Sequence, residues 1–171
     1  MDLWIELLGD PAYRHVLLNH VPVTGLVFAW FALAWAVFDG RRRGTTFFAL
    51  SLVAVASASV QPVMTTGDAA YPFVFDSVDG DGQRWLDHHV WLAERWGRLL
   101  LVNAGLALGA ILLGGFRERA ARAAAGVVLV TTLAALAAAA GIAEAGGKIR
   151  HAEFRLEDPP IHQEVGRLRP D

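Results

Sequence analysis

Four long apolar runs, almost free of charge, limit what this chain can fold into. They cover about residues 16–38, 45–64, 90–114 and 123–145. A helix rises 1.5 Å per residue, so each run can cross roughly 30 Å of hydrocarbon. None carries the polar face that a soluble core helix needs. None alternates as the strands of a closed barrel would. The expected fold is therefore all-α, an integral membrane four-helix bundle in up-down order. Composition agrees, with 54% hydrophobic and only 19% charged residues and a mean hydropathy of +0.38.

Short loops give the orientation. Arg41, Arg42 and Arg43 join the first two runs, and Arg117, Arg119 and Arg122 join the last two. The longer link between runs two and three is acidic, with Asp68, Asp76, Asp79, Asp81 and Asp87 against Arg84. Basic residues stay in the cytoplasm, so both termini are expected outside, N-out and C-out; Lys148 and Arg150 dissent and are outvoted. Residues 1–15 read as an outer interfacial segment, 16–151 as the transmembrane domain and 152–171 as a periplasmic tail. Met1 to Arg14 has no basic n-region and carries Asp2, Glu6 and Asp10, so it is not a signal peptide. It is expected to be a short helix with Trp4, Leu7 and Leu8 at the headgroups, and the first span an uncleaved anchor. The predicted location is the bacterial cytoplasmic membrane.

Several chemistries drop out at once. A net charge of −2 offers nothing to nucleic acid. The absence of cysteine removes disulfides, thiolate metal sites, iron–sulfur ligation and thioether-linked haem. There is no GxSxG, HExxH, phosphate-binding loop or dinucleotide fingerprint, which disfavours a hydrolase or kinase. Any metal or cofactor falls to histidine, carboxylate, methionine or backbone.

All six histidines map to the outer side. His15 and His20 open the first span, His88 and His89 the third, and His151 and His162 follow the fourth. Ionisable groups at membrane depth are costly and point to function. Spans one and three run parallel, so His20 and His89 are expected at similar depth, on diagonal helices facing the bundle axis. That arrangement would set two imidazoles on either face of a haem b. Ala93 and Gly97 below His89, Thr24 and Gly25 below His20, and Ala54, Ser57, Ala58 and Gly141 opposite would leave room for a flat macrocycle. The plainer reading is that small residues simply let membrane helices pack, that terminal histidines bond to backbone, and that Glu94 and Arg98 neutralise each other. Pro22 and Gln61-Pro62 free backbone groups near helix ends, and Thr65-Thr66-Gly67-Asp68 reads as a helix end and turn.

The stretch Leu18-Asn19-His20-Val21-Pro22-Val23-Thr24-Gly25 resembles the LNHxPxxG opening of small bacterial membrane proteins of the domain of unknown function 2231 family. Thr66-Gly67-Asp68-Ala69 is similar to that family's TGxA turn, and Asp87, His89 and Ala93 to its helix-three histidine segment. Gly146-Gly147-Lys148-Ile149-Arg150-His151-Ala152-Glu153 is similar to its GGxIRHxE close. His88-His89-Val90-Trp91 is more apolar than the family's usual acidic run, which leaves the choice between His88 and His89 open. The resemblance implies a four-helix membrane fold and a redox setting, because relatives are joined to cytochrome c or Rieske-type modules.

The first functional expectation is a small b-type cytochrome, or a subunit of a redox complex, passing electrons between quinone and a periplasmic acceptor. His20 and His89 would be its axial ligands, His151 and His15 alternative ligands or propionate partners, and Arg95, Arg98 and Arg150 propionate partners. The second is copper or zinc held by His15, His20, His88, His89 and His151; with only Met1 and Met64, tight Cu(I) handling is disfavoured. The third is a cofactor-free scaffold, alone or oligomeric, whose acidic outer loop and tail from Glu157 dock other subunits.

Overall fold

The computed structural model describes residues 2–39 and 43–161, with side chains from Glu6 onward. Arg41, Arg42, His162 and the Trp4 side chain lie outside the described residues. Among these residues the chain is helical with no strand: α1 (Asp2–Gly9), α2 (Pro11–Asp39), α3 (Arg43–Ala58), α4 (Val60–Ser77), α5 (Gly80–Phe116) and α6 (Glu118–Arg150), then a 3-10 turn at Ala152–Phe154. α3 and α4 form one bent span. Pro62 has no amide hydrogen to give the Ala58 carbonyl, and Ser59 instead turns its hydroxyl onto the Ala56 carbonyl at 2.7 Å. Four helical spans are thus long and apolar enough to cross a membrane: α2, α3–α4, α5 and α6. The chain is a multi-pass membrane protein.

α2 packs on α3–α4 and α6, while α5 packs on α3–α4 and α6. The expected up-down ring follows, with α2 and α5 on one diagonal. Leu26, Leu33, Val53, Leu100 and Val128 fill the axis. Phe28, Phe31, Trp35, Phe38, Leu112 and Phe116 point outward, as lipid-facing side chains do. Both described ends of the chain lie at one end of the bundle, called here the histidine end. Arg43, Arg117 and Arg122 lie at the other.

The acidic link between the second and third runs is not a loop. α4 continues to Ser77 and α5 starts at Gly80, so Thr65-Thr66-Gly67-Asp68 is mid-helix rather than a turn. A hydropathy boundary marks where lipid stops, whereas a helix stops where its hydrogen bonds do. Here the extensions are held by a second core of Tyr71, Trp85, Leu86, Val90, Ala145 and Ile149. Asp79 caps α5, its carboxylate accepting the Gly82 amide at 2.6 Å.

Midway along the bundle a polar knot joins three helices. The Asn103 amide donates to Ser57 at 3.0 Å and to Thr132 at 3.2 Å, and its oxygen accepts the Thr131 hydroxyl at 2.7 Å. Thr132 passes its own proton to the Val128 carbonyl at 2.7 Å. Ser57, Asn103 and Thr132 are buried, and hydrocarbon offers no substitute partner. Asn103→Ala should therefore destabilise the bundle by about 1–2 kcal/mol in detergent unfolding. A change near zero would show that the knot contributes shape and no stability.

Candidate functional site at the histidine end

Two imidazoles meet at this end by the same local device. His15, near the start of α2, bonds through Nδ1 to the Val63 carbonyl at 3.0 Å. His89, in the third turn of α5, bonds through Nδ1 to the Ile142 carbonyl at 2.8 Å. Four residues beyond each carbonyl is a glycine, Gly67 or Gly146. A Cβ on Gly67 would lie 3.0 Å from the His15 ring, and one on Gly146 would lie 3.2 Å from the His89 ring. The missing side chains open a notch in which each ring reaches backbone. Side chains at i and i+4 share a helix face, which is why that spacing works.

The tautomer follows. A carbonyl only accepts, so each Nδ1 must carry hydrogen, and in the neutral ring Nε2 then holds a lone pair. The two ring centroids are 6.1 Å apart with planes at 88°. Two imidazoles on one metal ion, with metal–nitrogen bonds of about 2.1 Å, place their centroids roughly 5–6.5 Å apart. Metal-binding histidines also characteristically donate their second nitrogen to a carbonyl or carboxylate.

The partner of His89 is thus His15, and the expected meeting of His20 with His89 is corrected. His20 lies five residues deeper on α2, is exposed, and turns Nδ1 back to the Val16 carbonyl at 2.8 Å. Measured from the apolar boundaries, His15 stands one residue before Val16 and His89 one residue before Val90, so those two share a depth while His20 lies four residues inside its run. The expected macrocycle space is also used differently. Met64 Sδ sits 3.2 Å from where a Gly97 Cβ would be, and the Ala56 methyl 3.2 Å from that of Gly25. Those glycines close helix contacts.

The remaining expected residues lie elsewhere. Between His88 and His89, it is His89 that faces the bundle. His88 stacks on Trp91 at 6.1 Å and meets the edge of Trp85 at 5.6 Å. His151, past the end of α6, bonds to Glu153 at 3.0 Å and stacks on Phe154 at 4.9 Å. Arg95 is exposed over the rings of Trp91 and Trp96, and Arg98 is exposed as well. Arg150 donates to the Ser77 hydroxyl at 3.3 Å, tying α6 to α4. Among the described residues no cluster of three or more histidine, aspartate or glutamate side chains is placed to hold a metal ion. The five-histidine metal set is therefore not brought together.

Sequence reasoning missed three features beside the pair. The Tyr71 hydroxyl donates to the buried Asp87 carboxylate at 2.5 Å. Lys148, nearly buried, lies 4.4 Å above the Trp85 ring and reaches Glu144 at 2.9 Å and Glu157 at 3.0 Å. Arg155 caps α6, donating to the Lys148 and Ile149 carbonyls at 2.7 Å each, and grips both oxygens of Asp79 at 2.8 Å. An Asp before Gly-Asp-Gly is a helix-start signal that would have found Asp79. Its arginine partner, 76 residues on, leaves no local sign.

Compared with known proteins, the chain matches no family model, no curated protein and no solved structure.

Two predictions follow from this geometry. Gly67→Ala and Gly146→Ala should each push an imidazole off its carbonyl and destabilise the fold by about 1–2 kcal/mol. The check is the slowly exchanging Nδ1 proton in the imidazole NMR spectrum; its survival in both variants would show that the notches are not required. Second, the Arg155 hydrogen bond, then the Gly82 amide, hold the Asp79 carboxyl below its ordinary value of 3.8. A depressed carboxyl contributes stability in full above its unfolded value and loses it as pH falls through the folded one. Hydrogen-exchange protection factors at Ala152–Leu156, taken relative to the intrinsic rate at each pH, should therefore stay high at neutral pH and fall as pH drops below about 4. They should be low throughout in Arg155→Gln, and a wild-type profile that tracks this variant would refute the clamp.

Proposed function

We propose that this chain is an electron-transfer protein of the bacterial cytoplasmic membrane, a b-type cytochrome or a subunit of a redox complex, with His15 and His89 as its paired ligands. The observation that carries the reading is that two imidazoles from different helices, each bonded through Nδ1–H to a backbone carbonyl and so left with Nε2 unprotonated when neutral, stand 6.1 Å apart from ring to ring. Ligand count favours haem over a bare ion. A six-coordinate cytochrome haem takes two protein ligands, while structural zinc takes four and catalytic zinc three. When bound, such a group supplies one-electron chemistry. The protein contributes orientation: each imidazole is tethered by its carbonyl and backed by its glycine, so the ligand planes are set before anything binds. By the charge rule this end faces the periplasm, where a soluble acceptor has access, and quinone reaches it from the lipid. The resemblance of residues 18–25 and 146–153 to motifs of the domain of unknown function 2231 family would, if it extends to function, imply the same redox setting.

A second reading has its own observation. The 6.1 Å spacing of the ring centroids falls within the range that two imidazoles take on a single copper ion.

A reduced-minus-oxidised spectrum of detergent-purified protein, made with ample haem, tests both. A sharp α-band lost in His15→Ala and in His89→Ala, and kept in His20→Ala, is the expected result. Full retention of the band in His15→Ala would sink the pairing. A flat spectrum with about one equivalent of copper by metal analysis would move the function to the second reading, and protein free of iron and copper that purifies with other subunits would move it to a scaffold.

A further inference from the structure

At the arginine end, opposite the histidines, the four spans part around a cavity of about 380 Å³. That volume lies within the roughly 300–1,000 Å³ typical of small-molecule sites. Its walls are largely apolar, with Leu50, Ile111 and Ala121 among them, and its polar rim is Arg43, Glu118 and Arg122. One N–H of Arg43 is given to the Gly114 carbonyl. Arg122 is only loosely paired with Glu118, at 4.0 Å and with both side chains 66% exposed. An exposed pair of that length contributes little and exchanges readily for a better anion. α3 and α6 both begin here, at Arg43 and Glu118, so their amide ends add positive potential.

We propose that this cavity binds one anionic phospholipid, its phosphate on Arg43 and Arg122 and one acyl chain among Leu50, Ile111 and Ala121. The chemistry recognised is a headgroup of net negative charge, a phosphodiester with no cationic amine beside it, attached to a long apolar chain. An apolar wall explains the chain and guanidinium groups at headgroup depth explain the phosphate, because arginine binds phosphate oxygens in pairs. A quinone serving the histidine pair is a poorer occupant. From His89 to Ile111 is 22 residues of α5, roughly 33 Å at 1.5 Å per residue. This site stands apart from the proposed redox function and survives its failure.

Native mass spectrometry of the full chain in neutral detergent, with phosphatidylglycerol or phosphatidylcholine added, is the test. The expected result is one tightly retained phosphatidylglycerol, preferred roughly tenfold over phosphatidylcholine. The double variant Arg43→Gln/Arg122→Gln should lose the preference with its helical circular dichroism unchanged. Ala121→Phe, which fills the cavity and leaves the charge alone, should lose retention as well. Equal retention of the two lipids by the wild type, or an unchanged preference in the double variant, would overturn the proposal. So would displacement of phosphatidylglycerol by millimolar inorganic phosphate, which would reduce the site to a free-anion pocket. If Ala121→Phe fails to fold, the arginine variant decides alone.

Discussion

The bond from the His89 imidazole to the Ile142 carbonyl, made over the bare backbone of Gly146, sets much of what this end of the bundle can do. A helix carbonyl is normally shielded by the side chain four residues on. Removing that side chain lets a second helix donate to it, and a helix–helix contact becomes a directional one. His15 repeats the arrangement on Gly67 and the Val63 carbonyl. Each bond does two things together: it fixes a helix against its neighbour and fixes a tautomer. The structural role is complete without any cofactor, and the same protonation pattern is what a metal-binding pair requires.

Lipid as solvent explains why polar groups are so sparse and so well matched. Dispersion holds the apolar seams, but lipid tails are as apolar as the side chains, so close approach and hydrogen bonds must choose the partners. Gly25 against Ala56 and Gly97 against Met64 supply approach; Asn103 with Ser57, Thr131 and Thr132 supplies direction. Toward the histidine end water returns and charge takes over, through Arg155 with Asp79 and Lys148 with Glu144 and Glu157. Asp79 and Arg155 act there as helix caps whose charges also complement the two helix dipoles.

The four spans were legible because hydropathy reads lipid depth directly, and so was their up-down ring order. Helix ends beyond the lipid were not. Tyr71 and Trp85 lie in what reads as an acidic loop, and only their burial against Ala145 and Ile149 shows that α4 and α5 continue there. The signal for the pairing lies in the sequence: His15 and His89 each stand one residue outside their apolar runs, whereas His20 lies four residues inside. Asn103 passed unnoticed because one amide in a run of leucine and alanine barely alters hydropathy, although it organises three helices. Gly67 and Gly146 stand in the sequence as plain glycines, and their use as notches for imidazoles depends on which helix faces them.

Register also accounts for the rigidity of His89. Three fixed points join α5 to α6: Gly82 under the Ile149 carbonyl, where a Cβ would come to 2.7 Å; His89 on the Ile142 carbonyl; and Asn103 on Thr131 and Thr132, above the Val128 carbonyl. On α5 these points are seven and fourteen residues apart, and Ile149, Ile142 and Val128 step along α6 by the same intervals. A seven-residue step keeps a contact on one face of two helices that wrap gently around each other. His89 therefore lies between two anchors, the capped helix ends above and the polar knot below, on a seam whose register neither can shift alone. α2 reaches the site through α4, where His15 bonds to the Val63 carbonyl. α4 is in turn held on α5 by Tyr71 and Asp87 and on α6 by Ser77 and Arg150, so the separation of His15 from His89 is set by how those ties seat α4 against the other two helices.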